Sequence, residues 1–514
     1  MPPSAGRARL HWLVDAVLAA VGGALFSLPF IHTTQWPAQI ALMVLLAWRC
    51  GAAGPGRAAL LGECFGTAWL CAGTWWLYIS MHRYGGLPAV LAGLAVLGLS
   101  AFLSLYLAAA MAAAARWRSG RALPDAALFA ACWLLAELAR ALLFTGFPWV
   151  ASGYAQVDSP LAMLAPWVGV YGIGCVTAFI AALLVPRGRR DWRRFLPAAA
   201  GLALLVAIAL AGRSEFSRPT RQLTVSLLQT NVAQDEKFSV ERMPQALTWL
   251  QQQLLAAPGQ LVVAPETAIP LLPDQLAPDY WEPLKQRFQR DGTTHVALIG
   301  LPLGSFELGY TNSVAGLSPA TLRAPDGFYR YDKHHLVPFG EFIPTGFHWF
   351  TEMMNIPLGD FNRGPVVAPS FEVFGERVAP NICYEDLFGE ELAARFRDPS
   401  AAPTIFANLS NIGWFGDSIA IPQHLQISRM RSLEFQRPML RATNTGPTVV
   451  IDHLGQVTKA LTPFTLGRLD GAVQGRDGLT PFARWASVAG LWPLVLAALL
   501  VVLAAALARR RSQR

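Results

Sequence analysis

At 514 residues the chain has room for more than one domain, and 53% of it is hydrophobic while only 14% is charged. Soluble proteins carry nearly twice that charged fraction, so a wholly water-soluble protein is excluded and a large part of the chain belongs in lipid. The formal net charge of +8 suits a nucleic-acid partner when taken alone, but the placement of the arginines removes that reading.

Residues 1–212 alternate long apolar runs with short basic or Gly/Pro-rich breaks. The runs predict seven membrane helices, near 11–31, 36–50, 58–80, 87–114, 123–144, 160–185 and 195–212, and an eighth near 487–508. The second is short against the roughly 20 residues of a full span. The first, preceded by Arg7 and Arg9, lacks a clear small-x-small cleavage site and is followed directly by further spans, so it reads as a retained helix. The expected division is therefore 1–212 as a membrane domain, 213–486 as a polar domain, and 487–514 as a last span with a short basic tail.

Arginines set the orientation. Arg7 and Arg9 precede the first helix, Arg49 and Arg57 flank the second break, and Arg116, Arg118 and Arg121 fill the fourth. Arg187, Arg189, Arg190, Arg193 and Arg194 fill the sixth, and Arg509, Arg510, Arg511 and Arg514 follow the last helix. The other breaks hold little positive charge beyond Arg83, so every basic cluster lies on one side, the cytoplasm, and 213–486 lie outside with both termini inside. Four ionisable residues fall at membrane depth: Asp15, Glu63, Glu137 and Arg140. Glu137 and Arg140 are three apart and can pair on one helix face, as glue between helices or as part of a lipid path. The uncharged aromatic loop 146–154 has the composition of a segment that dips into the interface.

The polar domain has enough residues for one sizeable core. Strands are expected at 223–229, 261–264, 296–300, 311–317, 328–331, 371–382, 404–407 and 449–452, with helices over 240–255 and 421–436. This is a mixed α/β domain with buried sheets. Three of its strands finish in a reactive group: Glu266 after 261–265, Lys333 after 328–332, and Cys383 after 378–382. In 378–386 an apolar run stops at the cysteine and acidic residues follow, the pattern of a strand delivering a side chain to an exposed turn, with a helix starting from about Leu387. The dipole of such a helix favours a thiolate, whereas Glu385 and Asp386 oppose it, and a buried core cysteine is the plain alternative. Of the six cysteines only Cys383 lies outside the apolar parts, so it has no disulfide partner in its own domain. Strand ends are where α/β domains place their sites, and a carboxylate, an ammonium and a thiol together suit acyl transfer: base, oxyanion stabiliser and nucleophile.

Residues 223–470 resemble the nitrilase (carbon–nitrogen hydrolase) superfamily, and the whole chain resembles the apolipoprotein N-acyltransferase family within it. The resemblance is carried by Pro265-Glu266-Thr267-Ala268, by the run from Tyr331 to Glu341, by Cys383-Tyr384-Glu385, by Asn408, by Trp414 to Ser418, by Arg441 to Gly446, and by Gly146-Phe147-Pro148-Trp149. It implies an α-β-β-α sandwich carried by a polytopic helical membrane protein, with Cys383 as nucleophile, Glu266 as general base and Lys333 as oxyanion stabiliser. It also implies a second glutamate, Glu341, that positions the lysine, supporting roles for Tyr384, Glu385 and Asn312, and substrate contacts from Phe238, Trp414, Phe415 and Trp149. The implied reaction moves an acyl chain from a phospholipid, phosphatidylethanolamine in particular, through a cysteine thioester to the N-terminal amine of a diacylglyceryl apolipoprotein. The implied setting is a bacterial inner membrane with the catalytic domain in the periplasm, and the chain is expected to act as a monomer without cofactor.

Two departures from the family pattern stand out: Phe238 where a tryptophan is common, which removes an indole N–H donor, and Gly413 where an Asn-Asp pair is common, which loosens the loop before Trp414. His334 and His335 have no clustered metal-type partners, so no metal site is expected. Arg429, Arg431, Glu434 and Arg437 read as a salt-bridged structural face of one helix, and Trp349, Phe350, Met353, Met354, Ile356 and Phe361 as either core or a lipid-facing lid. Two rival functions stay open at this point: a membrane-anchored amidase that passes the acyl group of a small substrate to water, and a transporter whose outer domain only binds a ligand. The transporter reading lacks the internal repeats and midplane charges it requires.

Overall fold

The computed structural model describes residues 5–186, 195–211, 214–237, 239–305, 307–344, 346 and 361–512, with side chains from Trp12 onward. The side chains of Arg7 and Arg9, and residues Arg187, Arg189, Arg190, Arg193, Arg194, Arg514, Phe238, Trp349, Phe350, Met353, Met354 and Ile356, lie outside what is described. The chain forms two compact units, one of residues 1–78, 88–214 and 491–514, the other of 79–87 and 215–490.

The first unit is helical: α1 (Ala5–Leu25), α2 (Trp36–Gly51), α3 (Pro55–Thr74), α4 (Ala89–Trp117), α5 (Ala122–Leu142), α6 (Ala165–Leu184) and α7 (Leu196–Ala211), with Trp492–Arg511 returning from the end of the chain. Five segments among the described residues are long and apolar enough to cross a membrane: Trp12–Phe30, Ala89–Trp117, Ala122–Thr145, Pro160–Leu184 and Trp492–Arg511. The α2 and α7 helices are 16 residues each, short of a full span. Small residues let helices close on one another: a Cβ on Gly23 would sit 2.0 Å from the Phe65 carbonyl oxygen, and one on Gly66 would meet Ser104 at 2.7 Å. Between them Phe26, Trp69 and Trp133 pack face and edge, with ring centroids 4.8 Å apart for the first two and 5.8 Å for the last two.

The four ionisable residues expected at membrane depth are partnered. Asp15 accepts from both Arg49 and Arg57. Glu63 accepts from Ser104 Oγ at 2.9 Å. Glu137 stands 3.8 Å from Arg140 and accepts from Ser152 N and Oγ at 2.6 and 2.9 Å, tying the 147–157 segment to α5. In the loop at 146–154, Trp149, Val150, Ala151 and Tyr154 are buried within the unit.

Among the described residues, the second unit holds two six-stranded mixed sheets. Its strands are β1 (Arg218–Gln229), β2 (Leu261–Val263), β3 (Val296–Ser305), β4 (Gly309–Leu317), β5 (Tyr329–Asp332), β6 (Phe371–Val373), β7 (Glu376–Ile382), β8 (Ile405–Ser410), β9 (Met439–Thr443), β10 (Val449–Ile451), β11 (Val457–Ala460) and β12 (Gly467–Asp477). Sheet one runs β12-β1-β2-β3-β4-β5 and sheet two β11-β10-β9-β8-β7-β6. Each has three parallel strands at its centre, β1-β2-β3 and β9-β8-β7, with antiparallel strands outside. Val225, Leu227, Val263 and Leu298 face Val378, Ile382, Ala407 and Leu440 in the core between the sheets.

The outer face of sheet one is covered by α8 (Met243–Ala256) and α9 (Pro278–Phe288), through Leu250, Leu254, Leu284 and Phe288. The outer face of sheet two is covered by α10 (Gly389–Ala393), α11 (Ala420–Phe435) and α12 (Pro481–Ala489), where Phe396, Phe435 and Phe482 pack together. The layers are thus α-β-β-α, as the resemblance implies.

Several expected elements change. Residues 371–382 form a hairpin, not one strand, because Phe374 and Gly375 turn the chain with φ of 49° and 91°. The α9 helix and strands β9, β11 and β12 were not anticipated, and Pro283 inside α9 hides its helical pattern. Arg437 is off its helix: α11 stops at Phe435, Gln436 caps it at φ 48°, and Arg437 donates to the Pro403 carbonyl. On the same helix Arg431 and Glu434 form the expected ion pair, 3.0 Å apart and buried. Gly490 ends α12 at φ 54°, so the final helix, α13 (Trp492–Arg511), begins later than the apolar run suggests.

Replacing Phe435 with alanine removes a ring that stacks on Phe396 at 4.8 Å and touches Phe406 and Phe482. The expected loss is about 3–5 kcal/mol, read as a lowered unfolding midpoint in detergent, with little change in helix content of the first unit.

Candidate active site

The carboxyl ends of the central parallel strands supply most of the site. Pro265-Glu266 follows β2, Cys383 follows β7, Asn411 follows β8 and Asn444 follows β9, while Lys333 follows the antiparallel β5. Asn312, in the middle of β4, joins them: its Nδ2 donates to Glu266 Oε1 and to Glu341 Oε1, both at 2.7 Å, and its carbonyl accepts from Lys333 N at 2.9 Å. Lys333 Nζ lies 2.9 Å from Glu341 and 3.6 Å from Glu266 and is 1% exposed. Glu341 is held in turn by the Val337 N–H on its Oε2 at 2.8 Å, and Glu266 Oε2 by the Asn411 N–H at 2.7 Å.

Burial by itself would lower the Lys333 ammonium, but Glu341 and then Glu266 more than offset it, and its pKa lies above the ordinary lysine value. The same enclosure acts on Cys383. Burial first, then the Glu266 charge, pushes the thiol up to about 12, against the pull of Lys333. The thiol form therefore dominates near neutral pH, and a nucleophilic role for Cys383 calls for a base that takes its proton. A helix dipole contributes little here. Cys383 opens a single 3₁₀ turn, Cys383–Leu387, the following helix has five residues, and Tyr384 to Leu387 are buried, so the turn is enclosed and not exposed.

Cys383 itself takes φ 49°, a left-handed conformation uncommon for a residue with a Cβ. Its carbonyl is held from outside the turn by His424 Nε2 at 3.1 Å and by Asn408 Nδ2 at 3.4 Å. Arg441 donates to His424 Nδ1 at 2.6 Å, which fixes the Nε2–H tautomer; burial and then the Arg441 charge keep that imidazole neutral. Because a peptide unit is planar and trans, pinning the Cys383 carbonyl on one side aims the Tyr384 N–H to the other.

Glu385 is a clamp between the sheets. It accepts from Tyr331 Oη of β5 at 2.6 Å, from the His334 and His335 N–H groups at 2.7 and 3.3 Å, and from Ile382 N of β7 at 2.7 Å. Tyr384 packs its buried ring near His335 and Phe388.

Of the residues singled out in the sequence, Glu266, Lys333, Cys383, Glu341, Asn312 and Glu385 come together, with Tyr384 adjoining. Trp414 and Phe415 are half-buried on the Ile412–Phe415 turn, where Trp414 meets Tyr84 edge-on at 5.8 Å. Gly413 packs on the Asn411–Asn444 pair, where a Cβ would meet Asn411 Oδ1 at 3.2 Å, a tight fit. Trp149 belongs to the helical unit, buried against Trp76 at 4.6 Å. Three residues escape sequence reasoning. Asn411 and His424 act through backbone and tautomer contacts that no spacing reveals. Lys237 is a second buried lysine, whose Nζ donates to the Glu266 carbonyl at 3.2 Å.

Asn312→Ala removes both 2.7 Å contacts that hold the two carboxylates around Lys333. It is expected to slow modification of Cys383 by substrate about 10²-fold while costing only about 2 kcal/mol of stability, measured by single-turnover kinetics alongside thermal unfolding.

The family model for the apolipoprotein N-acyltransferase N-terminal domain matches residues 22–183, and that for carbon-nitrogen hydrolase matches residues 224–477. The chain is 54% identical to an apolipoprotein N-acyltransferase of Verminephrobacter eiseniae, over 94% of this chain and 93% of that one. It is 47% identical to an apolipoprotein N-acyltransferase of Ralstonia nicotianae, over 96% and 94% of the two chains. Among solved structures, a carbon-nitrogen hydrolase from Helicobacter pylori G27 is similar over 49% of this chain and 89% of its own, at 16% identity and a TM-score of 0.35.

Proposed function

This chain belongs to the apolipoprotein N-acyltransferase family, a multi-pass membrane branch of the carbon-nitrogen hydrolases, and from that premise we propose how its residues divide the work of acyl transfer. Cys383 is the nucleophile, Glu266 the general base and acid, and Lys333 with the Tyr384 N–H the oxyanion site. Glu341 and Asn312 keep Lys333 and Glu266 in register, and Glu385 holds the Lys333 and Cys383 strand ends at a fixed separation. The observation that carries this reading is the Glu266–Asn312–Glu341–Lys333 cluster, whose charges act on the Cys383 thiol.

In the first half-reaction Glu266 takes the thiol proton as sulfur attacks the ester carbonyl of a phospholipid, phosphatidylethanolamine being the donor that the family resemblance favours. The oxyanion forms beside Lys333, the C–O bond breaks, Glu266 returns the proton to the glycerol oxygen, and a lysophospholipid leaves. In the second, the α-amine of a diacylglyceryl-cysteine attacks the thioester and gives a proton to Glu266. The C–S bond breaks, the sulfur is reprotonated, and an amide leaves. An α-amine has an ordinary pKa of about 8, so a usable share is the free base near neutral pH. Both reactants are lipid-anchored, which gives the membrane unit its purpose.

The arginine pattern supports eight spans with both termini in the cytoplasm of a bacterial inner membrane and the catalytic unit in the periplasm.

Incubating the purified chain with phospholipid is expected to add one fatty-acyl mass to Cys383, labile to hydroxylamine and absent in Cys383→Ala. Glu266→Gln is expected to slow that addition by about 10³-fold or more, on the order of the loss of a general base together with its charge. Absence of acyl mass on Cys383 in the unaltered chain would overturn the assignment.

A further inference from the structure

Of the 41 Lys and Arg residues in the chain only four are lysines, at 237, 285, 333 and 459. Lys285 and Lys459 are exposed, while Lys333 and Lys237 are buried together at the active site. The two buried ammonium groups are treated differently. Lys333 is matched by two carboxylates. Lys237 Nζ donates to the neutral carbonyl of Glu266 at 3.2 Å and, among the described residues, forms no ion pair with a carboxylate. An ammonium has three donors, and burying one without an ion pair is costly unless its charge serves something nearby. The Glu266 charge acts on it first, and negative charge on Cys383, once formed, acts next.

Charge balance shows what it serves. Within the Lys333 cluster, Glu266 and Glu341 outnumber Lys333 by one negative charge, and in the attack that charge moves from Glu266, as it takes up the proton, to a thiolate or oxyanion. We propose that Lys237 is a second active-site cation, which offsets that excess and lowers the energy of negative charge on Cys383 and on the attacked carbonyl oxygen. This rests on the reading of Cys383 as the nucleophile. Burial draws the Lys237 ammonium down to about 8. The sign follows: the cation is present below that value and is lost as pH rises through it. Its benefit to Cys383 therefore has a pH signature that a packing role lacks. Glu266, Lys333, Glu341 and Arg441 also bear on Cys383, but they stay the same in any Lys237 variant, so a comparison of variants isolates the one charge.

The test is alkylation of Cys383 in the full-length detergent-solubilised chain by iodoacetamide, followed by mass spectrometry of the Cys383 peptide between about pH 6 and pH 9.5. Lys237→Gln keeps a donor for the Glu266 carbonyl and removes the charge. It is expected to react about tenfold more slowly than the unaltered chain below about pH 8, the effect of about one pKa unit, with the ratio closing towards one at higher pH. Lys237→Arg is expected to keep the fast rate and extend it to higher pH; this variant, with its own pH profile, carries the test if the glutamine variant does not fold. Equal alkylation of the unaltered chain and Lys237→Gln at every pH would overturn the proposal. Unchanged alkylation with a raised KM for phospholipid would also overturn it, and would make Lys237 a contact for the anionic lipid headgroup. Failure of the unaltered Cys383 to take an acyl group from phospholipid is a different result, which sinks the nucleophile assignment whatever Lys237 does.

Discussion

The catalytic unit depends on keeping two carboxylates and an ammonium together in a space nearly closed to water. Asn312 makes this possible by giving one N–H to Glu266 and one to Glu341, so the carboxylates share a neutral bridge while both face Lys333. Removing one member would strand a buried charge, and a stranded buried charge costs far more than the intact cluster contributes. That is why the sheet around the cluster is regular: β3, β4 and β5 are antiparallel neighbours whose register brings Asn312 beside Lys333 through a backbone bond. The same enclosure favours the thiol form of Cys383, and under the proposed mechanism a neighbour deprotonates it at the moment of attack.

The second constraint is alignment across the sheets. Glu266 and Lys333 come from sheet one, and Cys383 comes from sheet two. A hydrophobic interlayer alone fixes their spacing only to the tolerance of side-chain packing. Glu385 removes that slack with contacts to Tyr331, His334 and Ile382. Asn411 adds a second tie, from the end of β8 to the Glu266 carboxylate. From its sequence position Glu385 looks like an unfavourable neighbour for a thiolate. In the fold its carboxylate oxygens are taken up by the clamp instead.

Much of this was legible in the sequence because it depends on local pattern. Apolar runs broken by arginines mark the helices, and the strands that stop near Glu266, Lys333 and Cys383 mark the candidate site. What was not legible depends on partners distant in the chain. The 371–382 run looks continuous because the Phe374-Gly375 turn interrupts apolar alternation by only two residues. The β11 strand is fully exposed and β12 mixes polar and apolar positions, so neither announces a buried strand. The enclosure of the Cys383 turn and the hold of His424 on the Cys383 carbonyl arise from α11, well downstream in the chain. Lys237 had a signal, the scarcity of lysine in an arginine-rich chain, although its burial depends on how the segment after β1 folds back.

With Cys383 carrying the acyl group, as proposed, the site has to reserve that thioester for an amine and keep it from water. The most direct measurement is a chase of isolated acyl-enzyme, comparing discharge by a diacylglyceryl-cysteine peptide with discharge by buffer alone. The peptide is predicted to empty Cys383 at least about 10³-fold faster and to leave as the amide, in line with the advantage of a bound, oriented nucleophile. Loss of the acyl group to water at a rate the peptide does not change would contradict acyl transfer and return the chain to the hydrolases its catalytic fold resembles.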